Sequence, residues 1–363
     1  MIAHRSGGDS PSQTGYVLAE MLIAAAIGIL LLSVLLQFAV SLQSSTAVQG
    51  DVADLQQRLR VAMESLRHDL SLAGAGPARG AARGPLVHVF APIVPARTGV
   101  VGADPELSFH SDRISIMYVP DARPQAKLTA DMAGPASSVA IDGNAPGCPP
   151  ASACDFKAGD DVLIFEAAGV GGAHEVFQVG SVDTGSSTMT PSSPLSRPYA
   201  MGARVAVIVQ RIYHFDRAGK RLMVYDGAHS DVPLVDHVVD LNFAYYGDPR
   251  PDVVSPPPSG GSNCAYTGSP PVPLLANLGG AAPKPLPDSL LTDGPACGEA
   301  PHRFDADLLR IRRVAVTVRL QTESAEFRGL GPAFATAGFS RAATKAVPDL
   351  QATIEVAPRN MDR

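Results

Sequence analysis

Long basic runs are missing from this sequence. Lys and Arg number 29 against 35 Asp and Glu, a net charge of −6. The electrostatic footprint of a nucleic-acid binder is therefore absent, and no nucleic-acid partner is expected. Arg310, Arg312 and Arg313 stand close together and are read as the solvated face of a strand rather than a phosphate site. Metal and nucleophile motifs are missing as well. The nine histidines (His4, His68, His88, His110, His174, His214, His229, His237 and His302) are scattered, without H-E-x-x-H or an i,i+4 pair, so no metal site is expected. No G-x-S-x-G is present, and the GDS at 8–10 has no such context. Gly74, Gly76 and Gly80 imitate part of a dinucleotide fingerprint, but they follow a helical pattern with the wrong spacing, and no cofactor is expected. Asp160–Asp161 and Asp305/Asp307 lack the EF-hand pattern and are read as solvated turns rather than Ca²⁺ ligands. With no convergent constellation of such groups, the chain is expected not to be an enzyme.

Cysteine is sparse. Cys148 and Cys154 have five residues between them, Cys264 and Cys297 thirty-two, so no C-x-x-C exists and neither a zinc ribbon nor a thioredoxin motif is formed. An even count in a loop-rich exported chain reads as disulfides. Three connectivities are open; Cys148–Cys154 with Cys264–Cys297 is favoured because nearest pairs close the shortest loops. Gly (34) and Pro (32) are frequent among 363 residues of which 45% are hydrophobic, which favours β structure with many turns around a real core.

Charge is absent where the apolar content is greatest. Residues 21–50 contain no charged side chain, and 21–42 read MLIAAAIGILLLSVLLQFAVSL. About 20 apolar residues suffice to cross a bilayer as a helix. A secretory signal peptide has a shorter apolar core with a basic region before it and a small-x-small site after it. Here the run is longer and a helical pattern continues directly out of it. Glu20 is the one charge between Asp9 and Asp51, at the edge of the run. A carboxylate there is unfavourable in hydrocarbon and points to a partner.

Beyond the run, Val48, Val52, Leu55, Leu59, Met63, Leu66 and Leu70 recur every three or four residues, one apolar helical face, opposite Asp51, Asp54, Arg58, Arg60, Glu64 and Arg67. Gly50 weakens the helix locally by roughly 1 kcal/mol against Ala. Gly74-Ala75-Gly76-Pro77 supplies the stop signal. The pattern predicts one helix over 16–73, about 87 Å long at its standard rise. Strands are predicted at 113–119, 161–166, 175–182, 204–215, 221–225, 235–246, 310–321 and 351–356, with a hairpin turn at 216–220. Alternation such as Leu241, Phe243, Tyr245 against Asn242, Ala244, Tyr246 implies an antiparallel sheet with one covered face, and the helix is its natural cover. Thirteen of the prolines lie between 249 and 301, so 247–305 reads as a loop-like insertion.

Gly15-Tyr16-Val17-Leu18-Ala19-Glu20, followed by MLIAAAIGILLL, resembles the class III prepilin signal of type IV pilin-like proteins. Residues 55–76, LQQRLRVAMESLRHDLSLAGAG, resemble the helix end of PilW-type minor pilins and of the J-type pseudopilins of type II secretion. PLVDHVVDLNFAYYGD, LLRIRRVAVTVRLQTES and the closing EVAPRN resemble the sheet region and ending of PilW-type proteins. The resemblance implies cleavage after Gly15 by prepilin peptidase and N-methylation of Tyr16 by the same enzyme. It implies that Glu20 neutralises an N-terminal amine in the filament; the two charges buried together cost far less than either alone.

The expected architecture is α+β and pilin-like: a leader at 1–15, a transmembrane helix at 16–43, its amphipathic continuation at 44–76, and a β-rich periplasmic head at 77–363. The expected place is the bacterial inner membrane, crossed once, and then a pilus or pseudopilus. Expected partners are prepilin peptidase, other minor and major pilins, and the inner-membrane assembly platform. The implied function is a minor pilin in pilus assembly or priming. A type II secretion pseudopilin is the alternative, and a membrane-anchored periplasmic enzyme a remote one.

Overall fold

The computed structural model describes residues 14–77, 84–120, 125–145, 148–149, 152–166, 169–257, 262–340 and 345–361. Its longest element is the helix Thr14–Leu72, 59 residues. The helix runs through Gly28 and Gly50, where an added Cβ would meet open space. It stops where the glycines begin. Gly74 adopts φ 77, the left-handed geometry of a C-terminal cap, and its N–H donates to the Met117 carbonyl at 3.0 Å. The chain divides into two compact units: the helix as far as Asp54 with Thr322–Pro348, and Leu55–Gln321 with Asp349–Arg363.

In the first unit, Leu18–Val40 is a 23-residue apolar stretch long enough to cross a membrane, with none of it buried. In the second, Leu55, Leu59, Ala62, Leu66, Leu70 and Ala73 are buried at steps of three and four, the stripe that the spacing demands of a helix with one covered face. Asp69 lies beside that stripe, 6% exposed. It accepts hydrogen bonds from the hydroxyls of Tyr118 at 3.2 Å and Tyr213 at 2.7 Å. Burial, reinforced by the Asp69 carboxylate, raises Tyr118 to about 12, so both hydroxyls act as donors.

The strands of the second unit form three main antiparallel sheets. One runs Ile93–Val94, Arg113–Tyr118, Val209–Asp216, Arg221–Tyr225, Asp231–Asp236. Its hairpin 216–220 is shaped by Asp216, whose carboxylate accepts from the Ala218 and Gly219 N–H groups at 3.1 and 3.0 Å. A second has the order Lys284–Leu286, Val238–Gly247, Ile311–Leu320, Leu350–Val356. Its residue parity is the one read from sequence: Leu241, Phe243, Tyr245, Val314, Val316 and Val318 are buried. The third takes the order Gln125–Lys127, Arg204–Val207, Asp161–Phe165, His174–Asp183, Thr188–Pro191, Val139–Ala140. It carries its own core around Val162, Ile164, Phe177, Met189 and Val205.

Three sheets therefore stand where sequence patterning implied one. Two predicted strands are broken in ways that periodicity does not show. The run 204–215 divides at Ile208, and its halves enter different sheets. The run 235–246 divides at His237, which sits at φ 57. The insertion 247–305 is rich in turns, yet it supplies the edge strand Lys284–Leu286, paired with Tyr245–Gly247. It also buries Tyr266, Leu275, Leu286 and Leu291.

Candidate functional site

The residues singled out from the sequence, Gly15, Tyr16 and Glu20, stand at the start of the long helix. Gly15 and Tyr16 lie in its first turns, while 1–13, most of the expected leader, fall outside the described residues. Glu20 is exposed, one turn beyond Tyr16, and opens the uncharged stretch. From Leu18 to Val40 each large apolar side chain is more than half exposed. A surface of that kind is stable only in hydrocarbon or against other apolar surfaces. One helix is long and apolar enough to span a membrane, which fits single-pass anchoring.

The cysteines pair as Cys148–Cys154 and Cys264–Cys297, with Cα separations of 4.3 and 5.1 Å, and no cysteine is left free. This is the connectivity favoured by shortest loops. The second bridge closes the wider loop, inside the insertion.

Two clusters of titratable side chains in the second unit differ from the sequence reading, the first because it was read as solvent-facing and the second because it was not read at all. Asp305 caps the short turn Ala306–Arg310: its carboxylate accepts from the N–H of Asp307 at 2.8 Å and of Gly294 at 2.6 Å. Asp307 meets the Arg310 Nε at 2.7 Å, both side chains sealed from solvent. Asp305 and Asp307 are thus buried, not the solvated turn expected, and Arg310 is not on a solvated strand face. The alternation that governs the strand starts only at Ile311. Burial pushes Asp307 up to about 7, against the pull of the Arg310 guanidinium. Among the described residues, Asp293, Asp305 and Asp307 are the three metal-ligating side chains brought together, with oxygens within 4.8 Å. The Arg310 cation already supplies positive charge there. An i,i+3 Asp–Arg spacing was the available sequence signal.

The second cluster is aromatic. His174 stacks on Phe90 with ring centroids 4.4 Å apart, and His302 lies 5.8 Å away. Burial, then the neighbouring His302, lowers His174 to about 4; His302 is lowered by burial too. Both rings are neutral near pH 7 and act as packing. A groove of about 650 Å³ passes Glu64, His68, Asp69, Arg211, Tyr213 and Asp226. Its carboxylates are engaged: Glu64 by Arg67 at 3.0 Å, Asp69 by the two tyrosines, and Asp226 by the N–H groups of Ala228, His229 and Ser230.

No protein-family model, curated protein or solved structure matches this chain.

Proposed function

We propose that this chain is a type IV pilin-like subunit, a minor pilin held in the membrane by its N-terminal helix until it joins a pilus. The observation that carries the reading is one continuous helix with two kinds of surface. Its first part is apolar all round and exposed, and its second buries a single stripe. Such a helix serves as an anchor while in lipid and as part of a helical core once neighbouring subunits replace the lipid. The pilin-like arrangement, with the helix covering an antiparallel sheet, is supported by the buried stripe and by the bonds from Tyr118 and Tyr213 to Asp69.

Glu20 carries the chemistry of assembly. Cleavage after Gly15 frees an amine at Tyr16, about 6 Å of helix rise from Glu20. A neighbouring subunit can present its own amine to this carboxylate. Pairing offsets the cost of an acidic group in hydrocarbon and sets axial register between subunits.

The mature protein is expected to begin at methylated Tyr16, read by mass measurement of its N-terminus. An intact leader, or cleavage beyond the apolar run, refutes the assignment. Glu20→Ala should leave the globular unit folded and the anchor inserted, yet reduce co-purification with partner pilins. Full assembly with that variant reduces Glu20 to an interfacial residue. Loss of exoprotein secretion rather than of pili identifies the J-type pseudopilin instead.

A further inference from the structure

Leu350–Val356 is the outer strand of its sheet, and among the described residues its backbone bonds only to Ile311–Leu320. An open edge is a template for another strand, and folded chains commonly blunt it with proline, lysine or brevity. The other edges of the three main sheets follow that practice. Ile93–Val94 lies between Pro92 and Pro95, Asp231–Asp236 holds Pro233, and Lys284–Leu286 holds Pro285. Gln125–Lys127 and Val139–Ala140 are three and two residues long. Leu350–Val356 reads LQATIEV, the longest of these edges, with neither proline nor lysine.

Both faces of the strand bear on what it can meet. On one, Gln351, Thr353 and Glu355 are exposed; Arg313 answers Glu355 at 2.8 Å, and Thr353 meets the Thr317 hydroxyl at 2.8 Å. On the other, Leu350, Ala352 and Ile354 are half-buried, although their cross-strand neighbours Leu320, Val318 and Val316 are sealed. That apolar row lacks a neighbour on its outer side. The edge is also complementary to itself. An antiparallel pair of copies centred on Thr353 joins all seven residues. Thr353 meets Thr353 of the second copy, Gln351 meets Glu355, Ala352 meets Ile354, and Leu350 meets Val356. A small side chain faces a larger one, an amide faces a carboxylate, and no like charges are opposed. A slip of one residue would set the polar row of one copy against the apolar row of the other.

We propose that Leu350–Val356 is a homodimer interface: two copies pair their edges about a twofold axis at Thr353, and two sheets of four strands become one of eight. The self-match of the edge favours a second copy over a different protein, since a twofold contact must be complementary to itself. This pairing needs nothing from the membrane-spanning stretch, so it stands or falls apart from the pilin-like reading.

The described cysteines are all paired, so one introduced Cys is the reactive thiol. Full-length protein in detergent, carrying Thr353→Cys, should form a covalent dimer under mild oxidation or with a short bismaleimide. Thr317→Cys should not, because the two copies of that residue stand about 14 Å apart, three strand spacings. Gln351→Cys should not link to itself, its two copies being about 13 Å apart along the strand. Mixed with Glu355→Cys it should link, which reads the register. Thr353→Lys and Thr353→Glu each set like charges face to face. Each alone should be monomeric by light scattering, and a mixture of the two should recover the dimer. Thr353 is exposed, so both variants should keep the circular dichroism of the parent. If Thr353→Cys is labelled as a monomer but never links to itself, the interface does not exist. Equal linking by Thr317→Cys marks random collision and overturns the proposal. Dimers that survive both Thr353→Lys and Thr353→Glu belong to another surface, the apolar helix included, and overturn it as well. A product joining Thr353→Cys to a different protein in cells, with no self-linked dimer, makes the edge a site for another subunit and has the same consequence.

Discussion

Between Leu18 and Val40 the large side chains are all exposed, Leu30 to 66% and Leu36 to 63%, whereas between Leu55 and Ala73 a side chain every three or four residues is sealed, Leu66 and Leu70 to 0%. The same helix carries both regions, and both are rich in Leu. The first has no polar face and no internal partner, so its apolar surface is complementary to something outside the folded chain. The second has a polar face, so its stripe is satisfied within the unit. Hydrophobic content says that a segment avoids water; the width of its apolar face says whether the chain itself supplies the shelter.

Identical substitutions in the two regions test this difference most severely. Leu66→Ala should destabilise the globular unit by about 2–5 kcal/mol, the cost of a core cavity, while Leu30→Ala should leave its urea midpoint unchanged in detergent micelles. Equal effects would erase the distinction. Asp69→Ala comes next. It leaves two buried tyrosine hydroxyls without their charged acceptor, an expected loss of about 2–3 kcal/mol by the same titration. A loss near zero would show that Asp69 does not fasten the second region.

A smaller effect follows from His174. Its folded value, about 4, lies below the 6.5 of an unperturbed imidazole. The unfolded chain therefore binds the proton more readily between these values. Stability is fully present above about pH 6.5 and is lost as pH falls toward 4. His302 is shifted in the same direction. Denaturation midpoints measured across that window should fall with acidity, and His174→Gln should flatten the slope. The apolar stretch carries no titratable group beyond Glu20, so extraction of the anchor from membranes should not follow the same curve. The least effect is expected for Leu30→Ala itself, about 0.5 kcal/mol of insertion free energy, read by glycosylation-site mapping of insertion efficiency.

The apolar stretch and the buried stripe of the helix were legible because their signals are local. An uncharged run of 30 residues bounded by Glu20 needs no tertiary information to be seen, nor does the three-and-four spacing from Leu55 to Leu70. The hairpin at 216–220 was readable from Asp216 and Gly219. The burial of Asp305, Asp307 and Arg310 was not, because charge in a sequence reads as exposure until a partner comes within bonding distance.

The sequence by itself determined the helix, its two surfaces and the parity of the main strands, since these follow from side-chain periodicity along a short stretch of chain. Only the tertiary structure decided which strands share a sheet. Arg204–Val207 and Val209–Asp216 are separated by a single residue, yet one pairs with Asp161–Phe165 and the other with Arg113–Tyr118. The break at Ile208 lies where its N–H donates to the Asp161 carbonyl at 2.9 Å. Strand pairing joins residues far apart in sequence, and its free energy comes from cross-strand neighbours that no local pattern names.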